Sequence, residues 1–238
     1  MKLLAIDTSA EACSAALLLE GETRERFAVQ PQRQSELILP MMDGLLAEAG
    51  LRVADLDALA FGRGPGSFTG VRIATGVVQG AAYAADLPVV AVSSLAALAQ
   101  GHLRETDRGR VLVAADARMN EVYWAACEIG VDGVMRVVGE EWVRPAAQVP
   151  IPAAGDDWEG VGSGWGVHGE TLATRLGSRL RQVCATIHCH AQDVARIAAA
   201  DYEAGLAVPA AAALPVYLRD RVAWKKAAGP DSPAASQL

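Results

Sequence analysis

The sequence predicts an α/β protein of two lobes built from duplicated units. Three observations carry this. A run of segments in the order β-β-β-α-β-α occurs twice in tandem, the mark of a duplicated layered fold. The 238 residues are 52% hydrophobic and 21% charged, enough to bury a large core as one long domain or two small lobes. Between a short apolar strand and a long helix lies a glycine turn, Gly62-Arg63-Gly64-Pro65-Gly66-Ser67-Phe68-Thr69-Gly70-Val71-Arg72.

Residues 3–6, 14–19 and 25–29 are strand-like and are separated by the turn signals Ala10-Glu11 and Glu20-Gly21-Glu22. Residues 35–49 follow as a helix, with Ile38, Met41, Met42, Leu45, Leu46 and Ala49 on one stripe. A strand at 58–61, a helix at 67–85 and a strand at 89–92 complete the first unit. Gly101, Thr106, Asp107, Arg108 and Gly109 predict a polar link over 100–110. The first lobe is therefore expected at 1–104 and the second at 105–205. In the second, strands are expected at 111–115, 121–127 and 135–142, then a strand at 160–162, a helix at 168–176, a strand at 182–185 and a helix at 191–204. A C-terminal segment, about 206–228, is expected to pack back on the first lobe. Residues 229–238, with two prolines among small and polar residues, are expected to be a disordered tail.

The glycine turn allows two readings. A strand, a flexible turn and a helix N-terminus gather free N–H groups and a positive dipole end, which suits an anion. The same residues, Gly64, Gly66 and Gly70 with Ser67 as N-cap, also suit a tight packing corner. The helix that follows carries Val71, Ala74, Val78, Ala81, Ala82 and Ala85 on one stripe and Arg72, Gly76, Gln79, Gly80 and Tyr83 on another. Each interior glycine costs about 1 kcal/mol against alanine, so close approach of a second helix is expected to offset it. That helix belongs either to the same lobe or to a partner.

Twenty-one basic against 28 acidic residues give a net charge of −7, which argues against a broad nucleic-acid surface. The basic cluster Arg219, Arg221, Lys225 and Lys226 reads as a solvated face. Cys13, Cys127, Cys184 and Cys189 form no C-x-x-C pair and read as reduced, buried small hydrophobes. Cys184, His188, Cys189 and His190 match no common zinc spacing, and no metal is expected. No apolar run approaches the ~20 residues of a membrane span, and Met1-Lys2-Leu3 leads directly to Asp7 without a signal-peptide core. The expected location is cytoplasmic.

G-P-G-S-F-T-G-x-R at 64–72 after a short strand resembles the signature of the TsaB/YeaZ family, which takes part in making the threonylcarbamoyladenosine of tRNA. The likeness extends to Asp7-Thr8-Ser9, Gln34-Ser35-Glu36-Leu37 (where members often have His-Ser), Asp116-Ala117-Arg118 with Glu121-Val122-Tyr123, Gly162-Ser163-Gly164 and Pro215-Val216-Tyr217-Leu218-Arg219. The resemblance implies the actin/sugar-kinase-like fold of duplicated ribonuclease-H-like units. In that superfamily two hairpins hold ATP phosphates between the lobes. The corresponding residues here are Asp7, Ser9 and Asp116, with Gly162 and Gly164 at the adenosine side. They read either as a vestigial nucleotide site or as inherited hairpin turns.

The catalytic relative in the pathway, TsaD, holds a metal through an H-x-x-x-H pair on one helix face. Here the histidines are His102, His168, His188 and His190, none four apart, so no catalytic residues are assigned. The resemblance implies a non-catalytic subunit that works with TsaD and TsaE in threonylcarbamoyl transfer to adenosine 37 of tRNAs reading ANN codons. It would meet TsaD through Gln34, Ser35, Ile38, Met42, Arg72, Gly76, Gln79, Gly80 and Tyr83, form a homodimer when alone, and reach tRNA only indirectly. No cofactor is expected, ATP or ADP entering only within the assembly. The alternative is a nucleotide-binding ATPase or phosphotransferase.

Overall fold

A computed structural model describes residues 1–153 and 155–219. The first half comprises β1 (Lys2–Asp7), β2 (Ala12–Leu19), β3 (Glu22–Val29), α1 (Gln34–Ala49), β4 (Ala58–Gly62), α2 (Phe68–Ala85), β5 (Val89–Val92) and α3 (Ser94–Thr106). The second comprises β6 (Arg110–Asp116), β7 (Glu121–Ile129), β8 (Met135–Pro145), β9 (Trp158–Val161), α4 (Ser163–Leu176), β10 (Leu180–Cys184) and α5 (Ala191–Glu203). The two five-stranded sheets have the orders β3-β2-β1-β4-β5 and β8-β7-β6-β9-β10, the same path twice. In each, the first three strands pair antiparallel, and the last two join parallel to the first.

The central strands are apolar on both faces because both are covered. Leu3 and Ala5 of β1 point to one core cluster, while Leu4 and Ile6 point to another, the period of two that a strand imposes. On the outer side α1 and α2 cover the first sheet, and α4 covers the second. The edge strand β3 carries Glu22, Arg24, Glu25 and Arg26, charges that discourage pairing with a further strand. The basic residues Arg221, Lys225 and Lys226, and the tail at 229–238, lie outside the described residues.

The layer between the sheets holds α3 and α5. It differs from expectation in two ways. Residues 100–106 are not a link but the end of α3, and Gln100, Gly101 and His102 are buried. Their polar groups are satisfied: the Met135 backbone N–H donates to Gln100 Oε1 at 2.8 Å, and His102 Nε2 lies 2.6 Å from the buried Glu159 carboxylate. Only residues 107–109 remain as a polar connection. Each half also sends its last helix across. Helix α3 packs on β6, β7, β8 and β9 of the second sheet, and α5 packs on all five strands of the first. Arg104 joins the two helices through Asp193, with Nε 3.0 Å from Oδ1.

Helix α4 begins at Ser163 rather than 168; a non-helical residue inside it, His168 (φ −122°, ψ 17°), interrupts the periodicity.

Candidate functional site

Asp7 ends β1 and is fully buried. Its Oδ1 accepts from the Ser9 backbone N–H at 3.0 Å and from Ser9 Oγ at 2.9 Å. Burial pushes the Asp7 carboxyl above the usual carboxylate range, against the lowering effect of these Ser9 bonds and of contacts to Cys189 and Ser94. The glycine turn lies directly on this hairpin. Thr8 Oγ1 donates to the Gly70 carbonyl at 2.7 Å, and the Ser67 N–H donates to the Ser9 carbonyl at 2.7 Å. Ser67 then caps α2, its Oγ accepting from the Gly70 N–H at 3.3 Å.

These contacts explain the glycines at 66 and 70. A Cβ on Gly66 would lie 2.3 Å from the Ser9 carbonyl oxygen, and one on Gly70 only 1.9 Å from that of Thr8. Positive φ, an obvious sequence rationale, applies instead to Gly64 (φ 94°), which precedes the cis Gly64-Pro65 bond.

The corresponding turn of the second lobe is held differently. Asp116 Oδ1 accepts from the Arg118 N–H at 2.9 Å, and the Arg118 guanidinium lies 3.1 Å from Oδ2. The Asp116 N–H donates to Ser163 Oγ at 3.1 Å. Gly162 (φ 103°) and Gly164 back onto β6: added Cβ atoms would stand 2.7 and 2.9 Å from the Ala114 carbonyl oxygen. The fold class implies Mg-ATP between two such turns. The donor set does not fit it, because Asp7 is sealed by its own hairpin and Asp116 is engaged by Arg118. Asp7, Ser9, Asp116, Gly162 and Gly164 serve these internal contacts.

The second stripe of α2 is open. Arg72, Gly76 and Gly80 are exposed and Tyr83 is 83% exposed. Among the described residues nothing lies within 4 Å of a Cβ placed on Gly76 or Gly80, so packing against them does not explain either glycine. Gln79 is half-buried, its Nε2 donating to the Ala213 carbonyl at 2.9 Å. On α1, Ser35 is exposed, and Gln34 reaches back to the Ala10 carbonyl with Nε2 at 2.9 Å.

Ile38 and Met42 correct the expectation. Both are buried against Leu4, Leu17 and Phe61 in the first-lobe core, so neither is available to a partner. The outward side of α1 carries Leu39, Pro40 and Asp43 instead. Leu39, Phe68, Leu214 and Tyr217 are exposed apolar residues that the stripe analysis missed. Phe68 follows the Ser67 cap immediately, a visible signal; Tyr217 lies 145 residues from the Arg72 it touches, and local pattern carries no trace of that.

His190 stacks on Phe27 at 4.1 Å between centroids and pairs with Glu25 at 2.8 Å. Among the described residues no three His, Cys, Asp or Glu groups converge on a metal position.

Two sheets of identical order, each begun by a β-hairpin and separated by a helical layer, define a two-lobed α/β protein of the actin/sugar-kinase type. A family model described as TsaD, tRNA N6-adenosine threonylcarbamoyltransferase, matches residues 29–227. The chain is 41% identical over 233 residues to the tRNA threonylcarbamoyladenosine biosynthesis protein TsaB of Escherichia coli (strain K12), covering 96% of this chain and 99% of that protein. It is 38% identical over 237 residues to the TsaB of Haemophilus influenzae, covering 96% and 98%. The solved structure of YeaZ from Pseudomonas aeruginosa matches with a TM-score of 0.86 at 47% identity, covering 91% of this chain and 99% of that one. The chain belongs to the TsaB (YeaZ) family.

Proposed function

We propose that this chain is a subunit in the biosynthesis of tRNA threonylcarbamoyladenosine, that it does not perform the transfer itself, and that it docks TsaD through the open face of α2. The observation that carries the reading is the pair Gly76 and Gly80, interior to a helix, unfavourable there by about 1 kcal/mol each, and without a neighbour within 4 Å of an added Cβ among the described residues. A bare helix face admits a second helix at close range and lets dispersion contacts accumulate over a broad area. Arg72, Gln79 and Tyr83 border it, and Arg and Tyr are enriched at interface cores. Ser35 and Leu39 of α1 extend the same surface.

The non-catalytic part rests on the histidines. No two are four apart, His102 is engaged by Glu159, and His190 by Glu25. The net charge of −7 fits a subunit that meets tRNA only through its partners. On this reading TsaE joins the assembly, the bare face makes a weaker homodimer when TsaD is missing, ATP or ADP enters only within the assembly, and the protein works in the cytoplasm.

Gly80→Leu tests this. The substitution adds helix propensity and meets no neighbour among the described residues, so circular dichroism and melting stay near wild type. Co-elution with TsaD and tRNA modification in a reconstituted assay are lost. Unchanged affinity for TsaD moves the interface elsewhere. Micromolar Mg-ATP binding by the isolated chain, abolished by Asp7→Ala, favours the ATPase or phosphotransferase reading instead.

A further inference from the structure

After α5 the chain returns along the first lobe and then leaves it. Val208 exchanges two backbone hydrogen bonds of 2.8 Å with Val89 of β5. Ala210 and Ala213 enter the first-lobe core, and the Ala213 carbonyl accepts from Gln79 of α2. The Val216 N–H donates to the Arg63 carbonyl at 2.8 Å. The Tyr217 hydroxyl accepts from Arg72 Nε at 2.9 Å, while the Arg72 guanidinium sits 3.5 Å from the Phe68 ring centroid. Two residues later Arg219 pairs with Glu121, the first residue of β7 in the second lobe. Arg63 is shared: its backbone holds this segment, and its side chain reaches Glu141 of β8 at 2.9 Å, where Ser93 also binds.

We propose that residues 206–219 form a strap that couples the exposed face of α2 to the second lobe. The contacts stand in series. Arg72 and Gln79 lie on the α2 face, Ala213 and Tyr217 bind them, and Arg219 anchors the far end on Glu121. The anchor is a partly buried ion pair, with 19% and 28% of the two side chains exposed, so it is less screened than a surface pair. A molecule seated on α2 also covers Leu214 and Tyr217, both exposed. It therefore restrains the strap, and through Arg219 the start of β7. The partner arm of this proposal rests on the reading that TsaD occupies the α2 face; the intrachain arm does not.

The test uses hydrogen exchange on the full chain, with the amides of Val216 and Glu121 as reporters, since each donates one defined bond. Tyr217→Ala, made at the α2 end, raises exchange at Glu121 in the other lobe by about fivefold. Glu121→Ala, made in the second lobe, raises exchange at Val216 by a similar factor and weakens TsaD binding about fivefold, the usual scale for substitutions that modulate coupling between sites. Arg219→Gln replaces Glu121→Ala if the latter does not fold. Wild-type exchange at both reporters in both variants overturns the strap, and raised exchange with TsaD affinity unchanged overturns its link to docking. If the wild-type chain does not bind TsaD, the proposed function falls, and the two exchange readouts decide the coupling.

Discussion

The turn after β1 and the turn after β6 hold equivalent positions in two sheets of the same strand order, yet they are built oppositely. The first is closed: Asp7, Thr8 and Ser9 are buried beneath the glycine run, with the Ser67 N–H bonded to the Ser9 carbonyl and the Thr8 hydroxyl to the Gly70 carbonyl. The second is open: Arg118, Met119 and Asn120 stand at φ 61°, 55° and 63°, and Met119 is exposed. In the first lobe the turn is a wall against which the long α2 helix is set. In the second it is a free loop tied at one side by Asp116 and Ser163. Duplication fixed the strand path; what each turn packs against decides whether it is buried or exposed.

The largest expected effect lies in the closed turn. Gly70→Ala puts a methyl group 1.9 Å from a backbone oxygen that cannot yield locally, so the cost is about 3 kcal/mol or more. Urea unfolding of the purified variant measures it. A loss below 1 kcal/mol would mean that α2 can lift from the hairpin, and that the closed turn is not a wall.

Gly162→Ala is the matching change in the second lobe. Its φ of 103° is unfavourable for any L side chain, and the new methyl group would stand 2.7 Å from the Ala114 oxygen. A loss of about 2 kcal/mol is expected, smaller than for Gly70→Ala because the new methyl group approaches its oxygen to 2.7 rather than 1.9 Å. Denaturation of both variants under one condition gives the ranking, and the reverse order breaks the comparison.

The smallest effect sits where the halves join. The α5 N-terminus is capped by the first lobe: the Ala191 N–H donates to Ser14 Oγ at 2.9 Å and the Gln192 N–H to Glu25 Oε1 at 3.0 Å. The Glu25 hydrogen bond raises the pKa of the adjacent His190 above its ordinary 6.5, despite desolvation. A raised histidine contributes stability that is fully present below the unfolded pKa and lost as pH rises through the folded one. Melting temperature is therefore expected to fall by a few degrees from pH 6 to pH 8, and Glu25→Gln to flatten that slope. An unchanged slope in the variant would detach His190 from it.

Much of this was legible in the sequence because the signals were local. The Ser67 cap, the period-two strands and the stripes of α1 and α2 need only neighbouring residues. Helix α3 was not legible. Buried along most of its length, Leu95–Gln100 shows no polar face, so Gly101 and the charges beyond it read as a link. Gln100 and His102 became intelligible only with Met135 and Glu159 beside them, partners 35 and 57 residues away. Ile38 and Met42 are a different case: they lie on the apolar stripe of α1, so their burial was legible, and assigning them to a partner surface conflicted with that stripe. Gly76 and Gly80 stood out from the sequence as anomalies, but that no described residue packs on them is visible only in three dimensions.

The crossing of α3 and α5 bears on how the chain comes off the ribosome. The inner face of the first sheet is finished by α5, which ends at Glu203. The sheet's own half of the chain is complete about a hundred residues sooner, and during that interval Leu3, Ala5, Ala58 and Ala60 have no lid. A break at 107–109 leaves each fragment lacking the helix that the other carries. The duplicate halves are interlocked, and a helix synthesised late in the chain closes the first sheet to be made.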